Sequence, residues 1–507
     1  MITVVAWTAL ALLPGCPQAL PSSGQFGGDT AATGADGSIS GGQDIAATGD
    51  SSGATDAATG DSGGGGGTTL DASGDVASGD QQGGETTSEV CACATNPDCA
   101  SIAVGTCQVV ECQKCQCIVV VAADGSPCGA GNECKSGACL PKSVPGAWAV
   151  GIAAGGNHSC ALRGNGTLSC WGANGEGQLG NGTTSGPLYY EKIPQEVAML
   201  TKVSSVELGD THSCAVWGGG KLSCWGDRFS GKTGSGDNSG SATTPESAGT
   251  ITDALAVTCG NQNGLAIRAG LTLWGWGGNS GNAFLTGDFT QKNSPVLVQG
   301  VLGSSAVCAG SSHVCALAAS DGTVRCWGRS GDGEVGNGKI GDLNEVYPPS
   351  DVGLTGIVGL ACGDYHTCGW DAAGKLCCLG KNLSSQLGLG AYSAGAAVPV
   401  ATKSISDVKA VAGGQGHTCA VTKAGAVLCW GSNDDGQAGQ IASSADINFP
   451  TAVDIGGKSL GVACGTNHSC AVRDDGAVLC WGRNSNGQLG NNSTSSGGTP
   501  VLVVGSK

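Results

Sequence analysis

The chain has 507 residues, among them 93 glycines, 28 cysteines and 6 histidines, with 12% charged and 4% aromatic residues. That much glycine assigns long stretches to turns and linkers. A formal charge of −17 excludes a protein that lives on phosphate contacts with nucleic acid, or one drawn generally to anionic lipid heads.

Residues 1–20 contain an apolar run, Ile2 to Leu13, interrupted only by Thr3 and Thr8. It has the length of a signal-peptide core and is too short to span a bilayer. The run ends Leu12-Leu13-Pro14-Gly15-Cys16. The small residue before Cys16 resembles the bacterial lipoprotein signal, which implies a lipidated Cys16; an ordinary cleaved signal is the alternative. Residues 21–90 are Gly, Ser, Thr, Ala, Asp and Gln, and residues 1–90 hold eleven acids and no Lys or Arg. Such a stretch buries too little apolar surface to offset its ordering entropy, so it is predicted to be a disordered, charge-extended linker.

Residues 91–143 form a cysteine-rich module, with Cys91, Cys93, Cys99, Cys107, Cys112, Cys115, Cys117, Cys128, Cys134 and Cys139. Cys112-x-x-Cys115 has zinc-ligand spacing, but the module has no histidine and no second matched pair. Behind an export signal, disulfides are the favoured reading, with connectivity open.

Residues 144–507 are one unit repeated. The first copy reads Gly156-Asn157-His158-Ser159-Cys160-Ala161-Leu162, then Gly166-Thr167-Leu168-Ser169-Cys170-Trp171-Gly172, then Gly177-Gln178-Leu179-Gly180-Asn181. Anchored on the histidine, copies fall at His158, His212, Asn263, His313, His366, His417 and His468, a period near 51 residues. Short apolar runs between Gly- and Asn-rich turns predict about four strands per copy, each copy needing neighbours to bury its faces. A proline opens a further strand about 18 residues before each later anchor: Pro194, Pro245, Pro295, Pro349, Pro399 and Pro450. His158 lacks such a strand, and the chain ends in Pro500 followed by Val501-Leu502-Val503-Val504. The expectation is an all-β, closed seven-bladed β-propeller in which residues 500–504 complete the first blade.

This repeat resembles the regulator of chromosome condensation repeat, whose blades carry Gly-x-x-His-[Ser/Thr], Trp-Gly-x-Asn and Gly-Gln-Leu-Gly. Copy three, with Asn263, and copy five, with Leu379 in place of tryptophan, depart from it. The resemblance implies the fold. Its members include a nuclear guanine-nucleotide exchange factor and secreted bacterial inhibitors of β-lactamases, so it does not select a function.

Cys160 and Cys170 flank the Gly164-Asn165-Gly166 turn, and a hairpin there sets them opposite each other. The spacing recurs in Cys214/Cys224, Cys368/Cys378, Cys419/Cys429 and Cys470/Cys480, and with one extra residue in Cys315/Cys326. Copy three has Leu265 and Gly275 instead; paired loss is what a bridge predicts. Cys259, Cys308, Cys362, Cys377 and Cys464 stay unassigned.

All six histidines are anchors. A repeat-linked residue needs a repeat-linked explanation, so each is read as a turn-fixing hydrogen bonder, and Trp171, Trp225, Trp276, Trp327, Trp430 and Trp481 as inter-blade packing. That leaves no Ser-His-Asp or Cys-His set, no metal ligands, no phosphate loop and no cofactor. Asp332, Glu334, Asp434 and Asp435 lie in turns without the marks of an acid pair. Asn433-Asp434-Asp435-Gly436 and Asn484-Ser485-Asn486-Gly487 lack the acid that closes a calcium loop.

The reading is a non-enzymatic, monomeric binding scaffold, exported to the outer membrane surface or beyond the cell, whose propeller face recognises a protein or glycan. Nucleic acid is not a partner, and a membrane is met only through the lipid anchor. Tyr189, Tyr190 and Tyr347, in the longer connections, are candidate partner contacts. The alternatives are an exchange factor for a small GTPase, by family analogy, and a polysaccharide-acting enzyme.

Overall fold

The computed structural model describes residues 148–184, 189–341, 345–442 and 445–506, together with four short strands at Gln108–Gln113, Gln116–Val121, Asn132–Lys135 and Ala138–Pro141. The signal segment with Cys16, the linker and most of the cysteine-rich module lie outside the described residues. The four short strands make two hairpins whose register sets Cys112 opposite Cys117 and Cys134 opposite Cys139. Among the described residues no helix is long and apolar enough to cross a membrane.

From Ala149 to Leu502 the chain forms seven four-stranded antiparallel sheets, each built from consecutive strands in sequence order. The first strand of each blade lies at the axis, because the ends of all seven first strands line a single cavity. In blade one the strands are Ala149–Ala154, His158–Arg163, Leu168–Ala173 and Tyr190–Glu196. Every second strand, from His158–Arg163 to His468–Arg473, is buried along its first five residues. A neighbouring blade covers each face, so these strands are continuously buried, polar His and Ser or Thr included, and do not show the half-buried alternation of a solvated sheet.

One glycine position follows from sterics alone. The glycine after each third-strand tryptophan (Leu379 in blade five) has φ between 98° and 109° in all seven blades. A Cβ there would sit 2.5 Å from the Asn157 carbonyl oxygen at Gly172, and 2.6 Å from that of Asn467 at Gly482. Only glycine meets both demands.

The proline strands belong elsewhere than expected. Each is the fourth, outermost strand of the blade before it: Pro194 lies in Tyr190–Glu196, which pairs with Leu168–Ala173, and Pro500 in Gly497–Leu502, which pairs with Val478–Gly482. The ladder slips between Cys170 and Gly172 and between Cys480 and Gly482, next to these prolines. A proline has no N–H to give, so an edge strand and a bulge are where it fits. The closing clasp is therefore corrected. Blade one has its own fourth strand, no strand passes from blade seven to blade one, and all seven sheets remain open. The ring comes round through other contacts: Ala149 N–H donates to Gly476 O at 3.1 Å, and Thr466 N–H to Gly155 O at 3.2 Å.

Cys160–Cys170, Cys214–Cys224, Cys315–Cys326, Cys368–Cys378, Cys419–Cys429 and Cys470–Cys480 are joined, each across the hairpin of its second and third strands. Two of the unassigned cysteines also pair: Cys308 and Cys362, 54 residues apart, bridge the first strands of blades four and five. By loop-closure entropy a bridge of that span contributes up to about 4 kcal/mol and a hairpin bridge up to about 3 kcal/mol. Replacing Cys308 and Cys362 together by alanine should therefore lower the free energy of unfolding more than replacing Cys160 and Cys170, as read from denaturant midpoints. Equal losses would show that native packing, not chain entropy, sets the contribution of these bridges.

Candidate functional site

The repeated histidine, hydroxyl and tryptophan assemble into one device between blades. His158 Nε2 lies 2.8 Å from Ser213 Oγ in blade two, and Ser213 donates to Gln178 O at 2.8 Å. Since the hydroxyl spends its hydrogen on that carbonyl, it accepts from the ring, which places the histidine proton on Nε2. Trp225 Nε1 donates to the same Gln178 carbonyl at 2.9 Å. The set recurs as His366–Thr418–Gln386 with Trp430, His417–Ser469–Gln437 with Trp481, and His468–Ser159–Gln488 with Trp171. The last of these joins blade seven to blade one. Between blades four and five His313 reaches Thr367 at 2.9 Å, but Leu379 leaves the tryptophan bond unmade.

Blade three interrupts the series on both sides. Gly264 stands where Ser213 stands in blade two, so His212 has no hydroxyl to meet, and neither of its buried ring nitrogens has a partner. Val314 likewise offers nothing to Asn263. Only Trp276 to Lys232 O and Trp327 to Ala283 O remain of the set at these two interfaces.

Burial holds the partnered rings neutral. It pushes His158, His313 and His417 down to about 3, and His366 and His468 to about 4, with neighbouring histidines adding to the shift at the first three. A neutral ring with one donor suits a fixed stitch between blades.

The turn carboxylates are structural as well. Gln178, Gln386, Gln437 and Gln488 each accept, through the side-chain oxygen, the N–H of the residue two before. Glu334 takes that place in blade four, accepting Asp332 N–H at 2.9 Å, and burial raises its carboxyl above the usual range. Asn433 and Asn484, from the calcium-like turns, are buried and accept the N–H groups of Ala438 and Leu489.

Two surfaces remain open to a ligand. The first is the axial cavity, of about 80 Å³, lined at one end by Glu207, Cys259, Asn261, Asp364 and Cys464 among others. Burial pushes Asp364 up to about 6, helped by Asp210 and opposed by side-chain bonds from Asn261 and Gln415. Cys259 and Cys464 are free thiols. The second is a circle of apolar side chains on the connections between third and fourth strands. In an antiparallel meander these connections emerge at the same end as the turns before each anchor, which frame the cavity. Phe229 is 66% exposed and Ile441 is 89% exposed; Tyr189, Phe289, Ile340, Leu383 and Tyr392 are exposed too. Phe289, Ile340 and Tyr392 each follow the third-strand Trp276, Trp327 and Leu379 by 13 residues, so they recur at one place in successive blades.

Of the tyrosines named from sequence, Tyr189 lies on this circle and Tyr190 is half-buried on the fourth strand of blade one. Tyr347 is corrected: only 8% exposed, it packs with Leu354 and Ile357, and its hydroxyl donates to Glu345 at 2.7 Å. The other apolar rim residues escaped sequence reading because each is a lone hydrophobe inside a polar turn. The offset of 13 was the available signal.

Profiles of the regulator of chromosome condensation (RCC1) repeat match residues 149–178, 305–334, 408–437 and 461–488, and, in a second form, 165–216, 424–472 and 475–507. The chain is 30% identical over 355 residues to the ultraviolet-B receptor UVR8 of Arabidopsis thaliana, covering 67% of this chain and 78% of the receptor. It is also 30% identical over 359 residues to the human E3 ubiquitin-protein ligase HERC2, but that match spans 7% of the ligase. In fold it is similar to yeast RCC1 (Prp20) bound to Kap60, with TM-score 0.60, 19% identity, and 67% and 84% of the two chains covered. Human WBSCR16 gives TM-score 0.57 at 19% identity, over 67% and 94%.

Two measurements test these assignments. For the five partnered histidines the unfolded ring titrates at 6.5 and the folded ring at about 3 to 4. Unfolding therefore takes up protons below 6.5, and stability is lost steadily as pH falls towards 4. Urea midpoints between pH 7 and 4 should show this, with a shallower fall in His417→Asn. Glu334→Gln restores the residue of four sister blades and removes a buried charge. It should raise the thermal midpoint at pH 7 by about 1–2 °C, with the gain vanishing in acid as the native carboxyl protonates.

Proposed function

Because the chain belongs to the regulator of chromosome condensation repeat family, in which one ring serves a photoreceptor and part of a ubiquitin ligase, we propose that it is a non-enzymatic binding scaffold. It acts outside the cytosol, and the end of the ring that carries the third-to-fourth strand connections recognises a protein. The observation that carries this reading is the circle of exposed apolar side chains, Phe229, Phe289, Ile340, Leu383, Tyr392 and Ile441, on connections at one end of the ring; other exposed hydrophobes, such as Ile193, Val398 and Phe449, lie on the outer fourth strands. Exposed hydrophobes repeated on one end of a rigid scaffold are the kind of surface that desolvates against a protein partner. A sugar face would call for polar groups with paired aromatic platforms, so a protein is favoured over a glycan.

The seven described disulfides support an oxidising compartment, which accords with export by the Ile2–Leu13 segment; attachment through Cys16 is part of the same proposal and rests on the sequence alone. The exchange-factor alternative needs a cytosolic GTPase, and similarity in fold at 19% identity supplies no exchange surface. The hydrolase alternative loses Glu334, which is occupied by its turn.

The deciding experiment uses a membrane-impermeant photo-crosslinker placed at Ser485, in the seventh connection, on intact source cells. One discrete protein adduct is expected, and replacing Phe229, Leu383 and Ile441 together by serine should weaken it at least about tenfold, the equivalent of 1.4 kcal/mol. A yield unchanged in the triple variant would remove the apolar circle as the contact. A ring wholly protected from the reagent, with free hairpin thiols, would return it to the cytosol and favour the exchange factor.

A further inference from the structure

We propose that the interface between blades two and three is a binding site for one soft monovalent metal ion, copper(I), held between the imidazole of His212 and the thiolate of Cys259.

Three interfaces bring a histidine, a hairpin cysteine and a first-strand cysteine of the next blade together, with ligand atoms within 4.8 Å of one another: His212/Cys214/Cys259, His313/Cys315/Cys362 and His417/Cys419/Cys464. In each, the hairpin cysteine is consumed by its bridge. The contrast lies in the other two members. His313 is paired with Thr367, and Cys362 is bonded to Cys308. His417 is paired with Ser469 at 2.9 Å, and the Cys464 thiol shares that hydroxyl at 3.8 Å. At the remaining interface Gly264 has removed the hydroxyl, and His212, wholly buried, has both ring nitrogens unpartnered. Cys259 is in no disulfide, its thiol lying 3.6 Å from the Glu207 carbonyl oxygen. One interface of the three thus sets an imidazole with no partner within 4.8 Å of a cysteine that is in no disulfide and whose thiol donates to the Glu207 carbonyl.

The donor set selects the ion. A thiolate and an imidazole are soft-to-borderline donors, which disfavours calcium and magnesium. Two donors are too few for zinc, which takes four in structural sites and three plus water in catalytic ones. Copper(I) is soft and is satisfied by two ligands on opposite sides. With bond lengths like those of zinc, about 2.3 Å to sulfur and 2.0 Å to nitrogen, a linear site spans about 4.3 Å, which the 4.8 Å limit on the separation of the ligand atoms admits. On binding, the Cys259 thiol releases its proton to water and both ligands give an electron pair to the ion; nothing is oxidised or reduced. Entry is by the axial cavity, which Cys259 lines.

The test is a competition titration of the purified full chain, disulfides intact, against the copper(I)–bicinchoninate complex, kept reduced with ascorbate under nitrogen. Any copper taken by the cysteine-rich module is common to all variants, so the readout is the difference between them. Cys259→Ala repeats the Ala154 of blade one and His212→Asn the Asn263 of blade three, so both keep residues the ring already tolerates. Each should bind one equivalent fewer than the unmodified chain, while Cys464→Ala should match it. X-ray absorption of the difference equivalent should show one sulfur and one nitrogen neighbour. Equal uptake by Cys259→Ala and the unmodified chain would overturn the site. Loss in Cys259→Ala with full retention in His212→Asn would overturn the histidine ligand, and a site that prefers zinc(II) would overturn the choice of ion.

Discussion

Everything in this ring depends on blades being buried on both faces. A four-stranded sheet whose second strand is wholly enclosed cannot exist without a neighbour on either side, so the seven repeats stand or fall together. Hydrophobic contact supplies most of the attraction but little orientation. Orientation comes from the relay of histidine to hydroxyl to carbonyl, with a tryptophan N–H sharing the carbonyl. Nε2 of each ring, the hydroxyl and the indole N–H are satisfied by one another or by the carbonyl inside an interface where an orphaned donor is costly, while Nδ1 of His158, His366, His417 and His468 has no partner. The relay runs from His468 to Ser159 as it does from His158 to Ser213, so the meeting of the two ends of the chain is held by the same chemistry as the other joints.

The disulfides act on a different scale. Among the described bridges, six lock individual hairpins, and Cys308–Cys362 crosses from one blade to the next near the axis. Blade three has no hairpin bridge and has lost the hydroxyl relay on both sides. It is the most weakly specified part of the ring, held by Trp276 and Trp327 and by packing around Phe284, which fills the space beside Gly275. Loss of local constraint and an unpartnered histidine therefore coincide at one place.

The fold and the hairpin cysteines were legible because they repeat: a period of 51 residues and a fixed cysteine spacing carry their own controls. The proline strands were legible as strands but not as members of a blade. Sequence shows that Pro194 precedes His212; it does not show that its strand completes the sheet of Trp171, because pairing is set by the turn between them. Tyr347 stood in a long connection and looked exposed, yet the bulged fourth strand turns its ring towards Leu354 and Ile357. The Cys308–Cys362 pair joins strands 54 residues apart, a proximity only the ring creates. What could be read at the candidate site was the anchor histidines; what could not was that Gly264 withdraws a partner from His212, since the two are 52 positions apart in sequence.

Because no strand is exchanged, the first and last residues of the ring meet at an ordinary joint. Ala149 donates to Gly476, and Ser506 accepts from Val478 two residues on, so both ends arrive at one side of blade seven. A ring built in this way has no beginning in any physical sense. The chain could be linked there and opened between any other two blades, leaving every sheet whole. By the same logic a gene for such a ring can gain or lose one blade as a single unit, with the new neighbours presenting the same histidine, hydroxyl and carbonyl to each other.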